Sequence, residues 1–203
     1  MKVQTVHVVD DDTSFRTALS RMLRANGYVV RSFESARDFL AQLEPETPGC
    51  AVVDLQMPDM TGLDLQTSLM GTSSAMPLVF LTGHGSISDS VSAIRKGAED
   101  FLEKCSPGEK LLEAIQRALA RDELTRETHR HQRELRARFD VLTSREHEVL
   151  AHVVRGKMNK EIAADLGIHE RTVKLHRTAI TTKLGVPSVA ELTRLVHEAG
   201  ILP

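Results

Sequence analysis

Cys50-Ala51-Val52-Val53-Asp54 is a short apolar run that ends in a carboxylate, and Met57-Pro58 follows at once. Three further runs in the first half of the chain also end in polar residues. Val6-His7-Val8-Val9 ends in Asp10-Asp11-Asp12, Leu78-Val79-Phe80-Leu81 ends in Thr82-Gly83, and Asp100-Phe101-Leu102-Glu103 ends in Lys104. Apolar runs of this length, bounded by turn residues and alternating with helical patterns, predict buried strands of a parallel sheet. Strands are expected at about 5–9, 29–33, 50–54, 78–82 and 100–103, and helices at about 14–25, 35–43, 61–70, 87–96 and 107–120. Gly27 and Gly97 stand where helices should stop in a left-handed turn, and Gly62 marks a tight entry to the third helix. Five such βα units make a doubly wound α/β sandwich. Its strand carboxyl ends share one rim, where ligands bind. Several carboxylates, a hydroxyl and an ammonium therefore meet in one pocket, a set able to hold a divalent cation and a phosphoryl group.

The remaining chain reads differently. Residues 122–139 lack Gly and Pro and alternate charge sign, so a solvated helical linker is expected. Leu124, Leu135 and Phe139 are too sparse for a coiled-coil seam. From residue 140 onward only helical signals appear. Thr143-Ser144-Arg145-Glu146 and Ser188-Val189-Ala190-Glu191 are capping boxes, and Gly156, Gly167 and Gly185 are stops. Asn159 to Leu166 and about Glu170 to Leu184 form two helices joined by Gly167-Ile168-His169, a helix-turn-helix.

Bulk properties narrow the class. Of 203 residues 41% are hydrophobic and only 3% aromatic, so the cores must be aliphatic. The net charge of −2 divides into −4 over residues 1–121 and +1 over each of 122–139 and 140–203, too mild a shift to indicate nucleic-acid binding by itself. Two cysteines, Cys50 and Cys105, do not make a disulfide framework. Met1-Lys2-Val3-Gln4 runs straight into a strand, without a signal peptide, and no apolar stretch reaches membrane-spanning length. A soluble cytoplasmic protein with no membrane partner is expected.

The strand-end residues Asp10, Asp11, Asp54, Thr82 and Lys104 resemble the receiver domain of two-component response regulators, over residues 1–121. Residues 140–203 resemble the NarL/FixJ (LuxR-type) DNA-binding domain, through Leu142-Thr143-Ser144-Arg145-Glu146, Asn159-Lys160-Glu161-Ile162-Ala163, Thr172-Val173-Lys174, His176 and Lys183-Leu184. The whole chain resembles a FixJ-type transcriptional response regulator. The resemblance implies that Asp54 accepts a phosphoryl group from a sensor histidine kinase. It implies Mg²⁺ bound by Asp11 and Asp54 directly, by Asp10 through water and by the Gln56 carbonyl. Lys104 and Thr82 would contact phosphoryl oxygens, and Phe101 would be the switch aromatic. For Asp12 a solvated place at the helix entry is the expected role. One departure is Cys105, where most receivers place proline after the lysine. A non-proline cis bond costs about 3–4 kcal/mol, so the Lys104–Cys105 bond should be trans and Lys104 less firmly held.

In the second domain the resemblance puts Lys174, Leu175 and Thr178 at base-facing positions of the recognition helix. Lys160, Thr172, His176, Arg177 and Lys183 would contact phosphates, which position without specifying sequence. Val173, Ile180 and Leu184 belong to the buried stripe. The expected protein is a phosphorylation-controlled transcription regulator that forms a homodimer through its fourth helix and fifth strand and binds double-stranded promoter DNA, with RNA polymerase as a further partner. It is not an enzyme beyond its own phosphorylation chemistry. Two alternatives compete with this reading. A magnesium-dependent phosphatase of the haloacid dehalogenase type expects an acid two residues after the nucleophile, where this chain has Gln56. A kinase-independent regulator would not need the complete five-residue site.

Overall fold

In a computed structural model, residues 4–44, 47–71, 76–83 and 86–201 are described. The chain divides into two compact units, Met1–Arg126 and Glu127–Pro203.

The first unit is built on five parallel strands: β1 (Thr5–Val9), β2 (Val29–Phe33), β3 (Cys50–Asp54), β4 (Leu78–Thr82) and β5 (Asp100–Glu103). Their order across the sheet is β2-β1-β3-β4-β5, and each adjacent pair is parallel. The strand order reverses between β1 and β3, the crevice position at which doubly wound sheets bind ligands. β3 and β4 are buried along their whole length, because helices cover both faces; this is why they read as unbroken apolar runs.

On one face α1 (Thr13–Ala25) and the start of α5 (Gly108–Ala137) bury Leu19, Leu23, Leu111, Ile115 and Ala118 against Val6, Val8, Val52 and Val79. On the other, α2 (Ala36–Gln42), α3 (Gly62–Met70) and α4 (Ile87–Arg95) bury Phe39, Leu65, Leu69 and Ala93 against Val9, Val53 and Phe80. The helix starts are capped. Asp12 accepts from the N–H groups of Ser14 and Phe15, Thr61 and Asp64 cap each other at α3, and Ser86 and Asp89 do so at α4. A methyl group on Gly62 would lie 2.6 Å from the Asp54 carbonyl oxygen and 2.9 Å from the Phe80 ring. Only glycine lets α3 start this close to the end of β3.

All five expected strands lie within their expected bounds. The fifth helix does not. It continues to Ala137, since nothing in its composition stops it, and a 3₁₀ turn at Arg138–Val141 follows. The expected linker 122–139 is thus helical but not simply solvated. Leu124 is exposed, whereas Leu135 and Phe139 are buried in the core of the second unit. They looked too sparse for a seam because they pack into a globular core instead.

That second core also holds Val149, Leu150, Ile162, Val173, Ile180, Leu184, Leu192 and Val196. Its helices are α6 (Ser144–Val154), α7 (Asn159–Leu166), α8 (Glu170–Leu184) and α9 (Val189–Ala199). Thr143 and Glu146 form the expected reciprocal cap of α6. At α9 the Ser188 hydroxyl accepts from the Glu191 N–H at 3.2 Å. The helix ends are closed by arginines: Arg145 donates to the Leu166 carbonyl at the end of α7, Arg138 to Leu184 at the end of α8, and Arg136 to Ala199 at the end of α9. Each satisfies a terminal carbonyl and places a cation at the negative end of the helix dipole.

Candidate functional site

β1 and β3 end side by side at the reversal point, so Asp10 and Asp54 arrive together. Both are almost fully buried, at 2% and 7% exposure, while Asp11 next to them is exposed. One carboxylate oxygen from each of the three lies within 4.8 Å of the others. Asp10 is steadied by the Asp12 N–H at 2.9 Å and Asp54 by the Gln56 N–H at 3.2 Å. The cluster consists only of hard oxygen donors with one member open to water, which suits Mg²⁺, a cation that keeps part of its hydration shell.

β5 supplies the positive charge. The Lys104 ammonium lies 2.8 Å from Asp10 Oδ2 and 2.8 Å from Asp54 Oδ2. The Lys104 N–H donates to the Thr82 carbonyl at 2.8 Å, which fixes the end of β5 against β4. Burial pushes the Asp10 carboxyl above its ordinary range, more than the Lys104 ammonium pulls it down. Burial disfavours the charged Lys104, yet hydrogen bonds to Asp10 and Asp54 prevail and hold its pKa above the ordinary lysine value. The ion pair is therefore formed. The Lys104–Cys105 bond is trans, as are all described peptide bonds. Lys104 is nevertheless held between two carboxylates, and the proline position is filled by a turn in which the Ser106 N–H donates to the Glu103 carbonyl and the Cys105 thiol to the Glu103 carboxylate.

Thr82 ends β4 fully buried. Phe101 is half-buried on β5, its ring 6.2 Å from that of Phe80. The Gln56 side chain is exposed. Asp12 is spent on capping α1.

In the second unit α7 and α8 flank an open groove of about 720 Å³, lined among others by Lys160, Glu170, Lys174, Arg177 and Thr178. Lys174 and Leu175 are exposed on α8. Thr178 is also exposed, with its hydroxyl returned to the Lys174 carbonyl at 3.1 Å. Thr172, His176 and Arg177 are half-buried. Lys183 has partners within the domain: its ammonium lies 2.7 Å from the Glu146 carboxylate and 3.4 Å from the Val141 carbonyl. That hydrogen bond, with the Thr143 N–H, holds the Glu146 carboxyl down at about 2. Two groove features escaped the sequence reading. Asn159 Oδ1 accepts from the Arg177 guanidinium at 3.1 Å, and Met158 stands 68% exposed at the start of α7. Asn159 belongs to the motif quoted above, but neither its contact with Arg177 nor the exposure of Met158 has a sequence signal, since only the packing of α7 on α8 brings these groups to the groove.

Residues 6–116 match the family model described as the response regulator receiver domain, and residues 140–196 match that of the bacterial regulatory proteins of the luxR family. Nodulation protein W of Bradyrhizobium diazoefficiens is 40% identical over 196 residues, covering 97% of this chain and 86% of that one. The transcriptional regulatory protein FixJ of Rhizobium meliloti is 38% identical over 199 residues and 98% of both chains. Among solved structures, the response regulator StyR has a TM-score of 0.79 at 44% identity, with 97% of this chain and 100% of that one covered. Full-length FixJ from B. japonicum has a TM-score of 0.59 at 32% identity over the whole of both. Two family models in this order, relatives matching along nearly the entire chain, and an acid–lysine pocket at the sheet's reversal point agree: the protein belongs to the NarL/FixJ-type response regulators, a transcription regulator with a receiver domain and a LuxR-type DNA-binding domain.

Proposed function

We propose that Asp54 is the phosphoacceptor and that its phosphorylation by a sensor histidine kinase, with Mg²⁺, controls dimerisation and promoter binding. The observation that carries this reading is the contact of the buried Asp54 with Lys104 beside Asp10 and Asp11. An Asp54 oxygen attacks the phosphorus, an O–P bond forms, the N–P bond of the phosphohistidine breaks, and the imidazole nitrogen leaves with its electron pair. When bound, Mg²⁺ would be held by Asp11 and Asp54, with Asp10 through water and the Gln56 carbonyl, and would neutralise charge on the phosphoryl oxygens. Lys104 would move from the carboxylates to a phosphoryl oxygen, and Thr82 would donate its hydroxyl to another. No acidic side chain stands at position 56, so the phosphatase reading lacks its second acid. The chain is not an enzyme in its own right.

Ile87, Val91 and Ile94 form an exposed apolar stripe on α4. Beside it Arg117 pairs with Asp100 and Glu99, and Arg121 pairs with Glu99. This face would join two copies after phosphorylation, with Phe101 relaying the change. Lys174, Leu175 and Thr178 would read bases, while Lys160, Thr172, His176 and Arg177 would grip phosphates. RNA polymerase is the further partner in this reading, and the cytoplasm its place of action. Among the described residues no helix is long and apolar enough to cross a membrane. The test is fluorescence anisotropy on DNA selected from a random pool. Acetyl phosphate with Mg²⁺ should tighten binding; unchanged affinity and an unchanged sedimentation mass would favour a kinase-independent regulator.

A further inference from the structure

Lys104 has a third neighbour besides the two carboxylates. Its ammonium lies 4.5 Å from the centroid of the Phe15 ring on α1. Phe15 is half-buried and packs at the edge of the α1–α5 core. The two side chains share the wall of a cavity of about 230 Å³, lined otherwise mainly by Ala18, Leu19, Met22, Leu81 and Leu111. On its acid side Lys104 is pulled toward Asp10 and Asp54; on its other side lies this mainly apolar space, whose wall also includes Glu103 and Ser106. A cation over an aromatic face is attracted by the ring quadrupole, more strongly where water is scarce. Lys104 is 20% exposed, so the contact is largely shielded from solvent. Phe15 itself is oriented by the turn that starts α1, where its N–H donates to the Asp12 carboxylate.

We propose that Phe15 is a positioning residue for the phosphoryl-transfer site, holding the Lys104 ammonium at the acid cluster through its ring face. This rests on the reading of Asp54 as phosphoacceptor. Phosphorylation of Asp54 would change what the two carboxylates present to Lys104, whereas the Phe15 ring takes no part in that reaction. It supplies a fixed support for a lysine whose following residue is Cys105 and so leaves the loop without the rigidity of proline. The alternative role, a core aromatic filling space between α1 and α5, requires only the volume of Phe15 and not its electrons. The two roles make different demands on substitutions.

The test is a series at position 15: Phe15→Leu, Phe15→Tyr, and phenylalanines of increasing fluorination, which keep the ring but weaken its quadrupole. Full-length protein would be incubated with acetyl phosphate and Mg²⁺, and the rate of mass gain measured. Phe15→Leu should slow uptake roughly three- to thirty-fold, Phe15→Tyr should restore most of it, and the fluorinated rings should fall between in order of fluorination. The ε-methylene signals of Lys104, read by NMR in phosphate-free protein, should be displaced upfield by the ring current in the wild type and lose that displacement in Phe15→Leu. Rates indifferent to fluorination and rescued by Leu would reduce Phe15 to a core residue. If the wild type took up no phosphate, the phosphoacceptor reading would fail on its own. Lys104 signals without a ring-current displacement would overturn the positioning role whatever the phosphate result.

Discussion

Gly62 shows how one atom can set the site. Its hydrogen faces the Asp54 carbonyl and the Phe80 ring at distances no Cβ can occupy. Gly62→Ala must push α3 away from β3 or displace Asp54, and overpacking of this kind costs about 1–3 kcal/mol. Thermal melts should show that loss, together with slower phosphate uptake. A second residue-scale expectation concerns the thiols. Cys50 is fully buried in β3, and burial pushes it up to about 12, whereas Cys105 is exposed. A thiol reagent at pH 8 should label Cys105 in the folded protein and reach Cys50 only on unfolding; equal rates for both would contradict the packing of β3. Asp10, Asp54 and Lys104 were legible in the sequence because each ends a strand, and a parallel sheet brings strand ends to one rim. Phe15 was not legible as a lysine support, since an aromatic residue on the apolar side of a helix reads simply as core. Lys183 reads as a phosphate contact because it is basic and lies in the last turn of the reading helix; its pairing with Glu146 was not legible, since it depends on how α6 packs against α8.

At the scale of elements, that Glu146–Lys183 pair ties α6 to α8. The Glu146 carboxyl, ordinarily near 4.5, is held at about 2 by the Lys183 ammonium and the Thr143 N–H. A depressed carboxyl contributes stability that is complete above its unfolded value and disappears as pH falls through the folded one. The second unit should therefore lose stability between about pH 4.5 and 2, and Glu146→Gln should flatten that part of the profile. Lys183→Ala should destabilise by about 1–3 kcal/mol, toward the lower end because the lysine is partly solvated, yet leave the salt dependence of DNA binding nearly unchanged. Lys160 and Lys174 should behave otherwise. Lys174→Ala should cost about 1–3 kcal/mol at one base position, and Lys160→Ala should weaken all sequences and reduce the salt slope by about one unit. Binding to specific and scrambled DNA across a salt series separates them; the reverse pattern would mean that the reading helix is misplaced. Strand limits could be read closely because short β-branched runs between turn residues have clear ends. The end of α5 could not, because a charged stretch without Gly or Pro carries no stop signal, and the burial of Leu135 and Phe139 depends on partners far along the chain.

At the scale of the molecule, the receiver's site rests as an internal ion pair between Lys104, Asp10 and Asp54. In the proposed reading a phosphoryl group on Asp54 would compete for Lys104 and so break contacts that now join β1, β3 and β5. That reorganisation is the proposed origin of the change at α4 and β5 and of tighter DNA binding. The central claim is tested most directly by the intact mass of the protein after incubation with acetyl phosphate and Mg²⁺, for the wild type and for Asp54→Asn. One added phosphate on the wild type and none on the variant is the predicted result; equal incorporation into both, or none into either, would contradict it.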